Sequence, residues 1–141
     1  MLQPIRADHP LLLRVASVHV ACGFPSPADD YLDDPIDLIE RLAPNKNASF
    51  LFQVSGSSMA GAHVHDGDVA IVDRSVPPRP GHLVVACVAG GFVMKELRER
   101  SGRLVLYSVP ADGPPSPYAV REDVQVWGVV RSTVTPHKAD R

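Results

Sequence analysis

Cysteine is scarce in this chain, which has only Cys22 and Cys87 among its 141 residues. Two cysteines so far apart in sequence fit neither a disulfide framework nor a zinc-binding pattern. We therefore expect two free thiols in a reducing compartment. An excess of charge of one sign is also lacking, because the formal net charge is -2 at pH 7. The composition does not predict the strongly basic face that contacts to nucleic-acid phosphates require.

Long apolar runs are absent as well. No segment reaches the ~18 consecutive apolar residues of a membrane-spanning helix. The closest, residues 11–22, is interrupted by Arg14 and His19. The same stretch makes a poor signal peptide, because the charges that precede it are of mixed sign. These observations argue against a membrane-anchored signal peptidase and predict a cytoplasmic protein.

What the sequence does contain is a series of short apolar segments separated by turn residues. A chain of this length holds one domain, and we predict a β domain over residues 31–141, preceded by an arm and linker over residues 1–30. The predicted strands, rich in Val, Leu and Ile, are residues 49–54, 68–72, 82–88, 92–97, 104–109 and 124–134. Their spacing of roughly ten residues predicts a mostly β fold of compact, coiled, barrel-like sheets.

The N-terminal third is less regular. Its first apolar stretch has a spacing nearer to that of a strand than to that of a helix, and residues 23–30 have the proline, glycine and aspartate content of a linker. A short helix is predicted around residues 36–42, with Asp29 or Asp30 near its start and Pro44 after its end. The arm is too short to hold a DNA-binding helix-turn-helix.

A glycine breaks the first predicted strand of the β domain just before two hydroxyl groups, in the segment VSGSSM at residues 54–59. Gly56 allows a tight turn that lifts the hydroxyl of Ser58 away from the sheet edge. Backbone N–H groups in such a turn can converge on a carbonyl oxygen as an oxyanion hole. The segment is therefore a candidate site for a nucleophilic serine, although the same residues also fit a simple polar turn.

Lys95 is flanked by apolar residues in the predicted strand GFVMKEL at residues 91–97. On a strand it shares a face with Val93 and Leu97, so we expect an apolar setting. Burial disfavours the ammonium form and lowers the pKa of a lysine, so that the neutral amine can accept a proton from a serine. Taken alone, Lys95 also fits a side chain that extends from a strand edge into solvent. Together, Ser58 and Lys95 predict a Ser/Lys catalytic dyad.

Other residues with chemical potential have simpler interpretations. His63, His65, Asp66 and Asp68 include metal-ligand types, but Asp-Gly-Asp is more simply a β-turn. Cys22 has no electropositive neighbour in sequence that would mark a reactive thiol. We therefore predict neither a metal site nor a cysteine nucleophile.

Five motifs in order resemble the UmuD proteins, which are SOS-mutagenesis relatives of the LexA-type self-cleaving Ser/Lys peptidases. The motifs are CGFPSPADDY at residues 22–31, SGSSM at 55–59, DGD and IVD within 66–73, the strand at 92–97, and WGVV at 127–130. The resemblance extends over nearly the whole chain, from about residue 11 to residue 134, in the same order and spacing. It implies the compact β fold of the LexA and UmuD peptidase domains, with a cleavable N-terminal arm.

The resemblance also implies roles and partners. Ser58 would be the nucleophile, Lys95 the general base, and the bond between Cys22 and Gly23 the bond that the protein cuts in its own chain, with residues 23–141 retained. The family forms homodimers, and RecA filaments on single-stranded DNA stimulate its cleavage. The trimmed form then joins UmuC as the accessory subunit of the lesion-bypass DNA polymerase V. Neither a cofactor nor sequence-specific DNA binding is implied.

The chain departs from the family in one loop, where Asp112 replaces the usual asparagine and Pro114 and Pro115 are added. This departure affects the expected loop conformation and leaves the dyad unchanged. Two other functions stay open: a catalytically silent interaction module of the same fold, and a LexA-like transcriptional repressor. The short arm and the near-zero charge disfavour the repressor. The presence of both Ser58 and Lys95 disfavours the silent module.

Overall fold

The computed structural model of the chain describes residues 3–5, 12–16, 22–23, 32–118 and 125–137. The described strands are β1 Gln3–Ile5, β2 Leu12–Ala16, β3 Leu32–Asp37, β4 Ser49–Gln53, β5 Val69–Asp73, β6 Leu83–Val88, β7 Gly91–Arg100, β8 Arg103–Ser108, β9 Ser116–Pro117 and β10 Gln125–Val134. The helix α1 spans Leu38–Leu42, and 3-10 turns span Lys46–Ala48 and Ala60–Ala62. None of the helices in these ranges has the length and apolar character needed to cross a bilayer.

Eight strands form one antiparallel sheet in the order β1-β4-β5-β10-β6-β7-β8-β9, and β2 pairs with β3 in a separate two-stranded sheet. The predicted mostly β fold is confirmed. The sheet is not closed into a barrel, however, because the described residues show no pairing between its outer strands β1 and β9. These two strands have only three and two residues, which is too short to form the tilted, staggered seam that closure requires.

All six predicted strands of the β domain are present. The strand that carries Lys95 is longer than predicted, because β7 and β8 form a hairpin that continues to the pair Arg100 and Arg103. The two residues between them, Ser101 and Gly102, have φ values of 53° and 77°. Two left-handed residues in a two-residue loop are typical of the turn that matches the twist of paired strands. This turn fixes the register of the whole hairpin.

The predicted helix at residues 36–42 is shorter than expected, because its first part belongs to strand β3. Pairing explains the change, because Ile36 and Asp37 lie opposite Leu13 and Leu12 of β2 and so extend the strand over the expected first turn of the helix. The helix begins after Asp37, whose carboxylate accepts a hydrogen bond of 3.0 Å from the backbone N–H of Ile39. Asp37 is therefore the N-cap of the helix. Asp29 and Asp30, which were expected near its start, lie outside the described residues.

The apolar core occupies both faces of the main sheet. Successive residues of a strand point to opposite faces, and the neighbours Val84 and Val85 on β6 accordingly belong to different buried clusters. The cluster of Val85 includes Met94, whereas the cluster of Val84 includes Leu97. Lys95 follows Met94 on β7 and therefore points to the opposite face, toward the cluster of Val84 and Leu97. That face of the strand holds a buried charged residue.

Parts of the predicted arm pair with later strands. Strand β1 forms three residue pairs with β4, and β2 forms four with β3. The strand-like spacing predicted for the first apolar stretch is thus confirmed over Leu12–Ala16. Residues 24–30 of the predicted linker lie outside the described residues.

Candidate active site

Ser58 lies on an exposed turn that leaves the end of β4. Gly56 has a φ of 98°, a conformation that favours glycine over residues with a Cβ. The turn is fastened to its neighbour, because the backbone N–H of Gly56 donates a 2.8 Å hydrogen bond to Oδ1 of Asp66. The predicted glycine turn before the serine is confirmed, and Asp66 has a structural role in it.

The chain just after Ser58 is bonded to the end of the β7–β8 hairpin. The backbone N–H of Val109 donates to the carbonyl oxygen of Ser58 at 3.0 Å, and the N–H of Gly61 donates to the carbonyl oxygen of Val109 at 2.8 Å. Met59, between the two bonds, is buried in the core. These contacts hold the serine turn against the strand that follows Lys95 in the hairpin.

Lys95 is buried on β7, with only 6% of its surface exposed. In the register of the sheet it lies opposite Val84 of β6, and Leu97 on the same face is also buried. The predicted apolar setting is confirmed. Its Nζ donates hydrogen bonds to Oγ of Ser58 at 3.0 Å and to Oγ of Ser108 at 2.9 Å.

Burial shifts the protonation equilibrium of this amine. Desolvation of the ammonium form lowers the pKa of Lys95 below its usual value, because a charge loses more solvation free energy than a neutral amine on entering an apolar interior. Among the described ion pairs none involves Lys95, so no carboxylate there opposes the shift. A lysine in this state is a better proton acceptor near neutral pH than a solvated one.

The Ser58 and Lys95 side chains line a cavity of about 160 Å³. Phe92 forms part of its wall and packs edge-to-face against Phe52 and Trp127, with ring centroids 5.4 and 5.5 Å apart. The guanidinium of Arg74 lies over the ring of Trp127, 4.4 Å from its centroid. The wall is therefore a packed aromatic cluster, and the cavity has room for a small side chain.

The predicted cleavage site lies apart from this cavity. Cys22 is exposed, and a Cβ placed on Gly23 would meet nothing within 4 Å. Within the described part of the chain, the cavity lining includes Ser58 and Lys95 but neither residue of the predicted scissile bond. The structure thus brings the predicted dyad together and leaves the predicted substrate bond outside it.

The remaining candidate residues have structural partners. Asp68 is buried and accepts a 2.9 Å hydrogen bond from the backbone N–H of His65. His63 ends a 3-10 turn with a φ of 64°. Across the described ranges, no three His, Cys, Asp or Glu side chains are placed to hold a metal ion. Cys87 is half-buried, and both cysteines are free thiols.

Sequence reasoning missed Ser108, although a signal for it was present. A two-residue turn at Ser101 and Gly102 sets the pairing of the hairpin, in which Glu96 lies opposite Tyr107. One step further along both strands, the same register places Ser108 beside Lys95. A serine at the position of the hairpin that lies beside Lys95 was the clue.

Comparison with known proteins agrees with the motifs. The family model described as Peptidase S24-like matches residues 14–131. Protein MucA of Salmonella typhimurium is 38% identical over 84% of this chain and 81% of its own length. Protein SamA of Salmonella typhimurium strain LT2 is 30% identical over 94% and 89%, and protein ImpA of Escherichia coli is 37% identical over 79% and 76%. The resemblance inferred from the motifs is confirmed, and the chain belongs to the S24 peptidase family.

Proposed function

We propose that this protein is a self-cleaving serine peptidase of the SOS response, with Ser58 as nucleophile and Lys95 as general base. One observation carries the proposal: the Nζ of a buried lysine lies 3.0 Å from the Oγ of an exposed serine. Nucleophile and base are thus within hydrogen-bond distance, as proton transfer requires. A buried ammonium group is costly, and a purely structural role for Lys95 would not explain why the fold accepts that cost.

The first half of the reaction forms an ester. The neutral amine of Lys95 takes the proton of the Ser58 hydroxyl, and the oxygen bonds to the carbonyl carbon of Cys22. Backbone N–H groups of residues 57–59 are the donors that would stabilise the negative oxygen, because the N–H of Gly56 already donates to Asp66. The intermediate then breaks its C–N bond to Gly23, while the Lys95 ammonium returns its proton to the departing amine. The product is an ester between Ser58 and the Cys22 carbonyl.

The second half hydrolyses that ester. Lys95, neutral again, takes a proton from water as the water oxygen bonds to the Cys22 carbonyl carbon. The ester bond breaks, Ser58 regains its proton from Lys95, and the arm ends in a free carboxylate. A tethered substrate has a high effective concentration, so a modest base suffices for a single event.

The exposed position of Cys22 and Gly23 supports a regulated reaction. The scissile bond has to move into the cavity before Ser58 can attack it, and the small cavity beside Phe92 suits the small residues on both sides of the bond. We propose that a RecA filament on single-stranded DNA favours this movement. We further propose that the protein works in the cytoplasm as a homodimer, and that its trimmed form serves a UmuC-type error-prone translesion polymerase.

Mass spectrometry of the purified full-length chain tests the proposal. The protein is incubated at mildly alkaline pH with and without RecA, single-stranded DNA and a nucleoside triphosphate. We expect a fragment that begins at Gly23, absent from Ser58→Ala and Lys95→Ala. Ser57→Ala and Lys46→Ala are matched controls, because both residues are exposed, and both variants should still cleave.

The alternative outcome is equally clear. If the wild-type chain stays intact under every condition while circular dichroism shows it folded, the peptidase proposal is wrong. The silent interaction module would then be the better description of the protein.

A further inference from the structure

The amine of Lys95 has two neighbours besides the nucleophile. Its Nζ donates to Oγ of Ser108 at 2.9 Å and lies 4.7 Å from the centroid of the Tyr118 ring. We propose that Ser108 and Tyr118 are positioning residues of the dyad, which orient the lysine amine so that its lone pair faces Ser58. This inference rests on the proposed function, because it assigns a role within the same site.

The geometry of the amine explains why two neighbours are needed. A neutral lysine amine has two N–H bonds and one lone pair, and the three directions interchange by rotation about the terminal C–N bond. Only the rotamer whose lone pair faces Oγ of Ser58 can accept the serine proton. If Ser108 holds one N–H and the Tyr118 ring face attracts the other, the lone pair is left facing Ser58.

Ser108 is placed by the hairpin and not by chance proximity. It is the last residue of β8, and the pairing of Glu96 with Tyr107 continues to bring it next to Lys95. On its other side it pairs with Ser116 of β9. The next residue, Val109, bonds to the backbone of Ser58. One short segment therefore fixes the base and the nucleophile together.

Tyr118 comes directly after β9, and its position is fixed by contacts of its backbone and of its side chain. Its backbone N–H donates to the carbonyl oxygen of Leu106 at 2.8 Å, and its side chain packs against the buried cluster of Val84 and Leu97. A ring face attracts a cation more strongly than a neutral amine. Tyr118 thus stabilises the ammonium that forms when Lys95 takes the serine proton, and partly offsets the burial that favours the neutral amine.

Two carboxylates of the surrounding elements, Glu96 and Asp66, have partners other than Lys95. On β7, Glu96 pairs with Arg98, whose guanidinium lies over the ring of Tyr107 on β8. On the serine side, Asp66 accepts from the backbone of Gly56. Strand β6 presents Val84 opposite Lys95. In the described ranges, Ser58, Ser108 and Tyr118 are therefore the polar and aromatic groups that contact this amine.

The test compares two pairs of variants of the full-length chain. Ser108→Ala removes the hydroxyl and Ser108→Thr retains it on a strand-compatible residue; Tyr118→Leu removes the ring face and Tyr118→Phe retains it. Cleavage rates are measured over a range of pH. We expect Ser108→Ala to lower the alkaline plateau about 3- to 10-fold, the effect of one net hydrogen bond, and Ser108→Thr to restore it. We expect Tyr118→Leu to move the acidic limb of the profile to lower pH, because the ammonium loses its ring contact, while Tyr118→Phe leaves the limb in place.

A second measurement separates failure of this inference from failure of the proposed function. The pKa of Lys95 is followed by NMR in the uncleavable Ser58→Ala background, with and without each further substitution. We expect Ser108→Ala and Tyr118→Leu each to lower this pKa, and Ser108→Thr and Tyr118→Phe to leave it unchanged. A wild-type chain that cleaves, with profiles and pKa values unmoved by Ser108→Ala and Tyr118→Leu, would overturn the inference alone. Equal effects of Tyr118→Phe and Tyr118→Leu would reassign Tyr118 to packing. If no chain cleaves at any pH, the proposed function fails, and unmoved pKa values would overturn the inference as well.

Discussion

Gly61 lies so close to Pro110 that a Cβ on the glycine would be 2.2 Å from the proline carbonyl oxygen. The atom in the way belongs to the backbone, so no side chain can rotate to make room. This close approach lets the segment after Ser58 bond to Val109, the residue that follows β8. The distance between Ser58 and Lys95 therefore depends on a residue that takes no part in the chemistry.

Substitution of Gly61 by alanine should move the proposed nucleophile Ser58 away from the proposed base Lys95. We expect Gly61→Ala to lower the cleavage rate about 100-fold, the usual scale for a displacement of about 1 Å at a reacting centre. It should also destabilise the fold by about 1–3 kcal/mol through overpacking. Gly91→Ala is the matched control, because its Cβ would meet only the carbonyl oxygen of Val88 at an ordinary 3.7 Å. A Gly61→Ala chain that cleaves as fast as Gly91→Ala would contradict this account of the site.

Lys95 should make stability depend on alkaline pH. Its folded-state pKa is lowered by burial, so between that pKa and the unfolded value near 10.4 the unfolded chain binds more protons. The free energy of unfolding therefore rises with pH across this window and falls again when the pH is lowered through it. Lys95→Met removes the titrating group, and we expect it to be more stable than the lysine chain by about 1–2 kcal/mol at neutral pH. Urea unfolding in a Ser58→Ala background should show this difference shrinking as pH rises; a constant or growing difference would rule out a buried, shifted lysine.

Asp73 should anchor the end of β5. Its fully buried carboxylate accepts hydrogen bonds from the N–H and hydroxyl of Ser75, from Asn45 and from Arg131. Burial alone would raise the pKa of Asp73, but the bonds from Ser75 and Asn45 and the charge of Arg131 outweigh it and lower the pKa. Stability from this lowered pKa is present above the unfolded value near 3.9 and is lost as pH falls through the folded one.

Asp73→Asn should therefore destabilise the protein by about 2–4 kcal/mol at neutral pH, because Ser75 and Arg131 lose an acceptor that carries charge. We expect the difference in the free energy of unfolding between Asp73→Asn and wild type to narrow below about pH 4, because Asp73 of the unfolded chain becomes protonated there. The exposed Asp112 provides the control substitution, Asp112→Asn, which should change little. Urea midpoints measured at neutral and acid pH check both statements, and a gap independent of pH would mean that the charge of Asp73 contributes nothing.

Phe92 should support both the cavity and the lone tryptophan. Phe92→Ala removes one ring from the cluster with Phe52 and Trp127, and we expect a loss of about 2–3 kcal/mol in stability. Trp127 is the single tryptophan of the chain, so its emission should shift to longer wavelength as water reaches it. Leu104→Ala, at an exposed position, should leave the emission unchanged. An unshifted spectrum in Phe92→Ala would show that the aromatic wall is not packed as described.

The sequence predicted the strands well because each is short, rich in Val, Leu and Ile and bounded by turn residues. It also predicted the glycine turn before Ser58 and the apolar setting of Lys95, and the structure brings these two side chains to 3.0 Å; their catalytic roles stay a prediction. The start of helix α1 was harder to predict, because Ile36 and Asp37 pair with β2 although their spacing fits a helix. The spacing of apolar residues along the sequence does not show which residues pair with a distant strand.

The contacts that align the site could not be predicted from spacing. The bond between Val109 and Ser58 joins residues that are distant in sequence, and the approach of Gly61 to Pro110 depends on how two loops dock. Of these contacts, only that of Ser108 with Lys95 could have been predicted, from the register of the hairpin. Long-range docking sets the distances at which chemistry becomes possible, and sequence patterns specify mainly the elements that dock.

The pairing of the arm has a further consequence for the timing of activation. Strands β1 and β2 precede the proposed cut between Cys22 and Gly23, whereas their partners β4 and β3 follow it. Cutting that bond leaves a nicked molecule in which two backbone ladders still join the fragments. Dissociation is then a second step with its own rate, set by three and four residue pairs of antiparallel sheet. A partner that binds the edge of β4 would need the arm to leave first, because β1 covers that edge. Such a partner would therefore bind only some time after the cut.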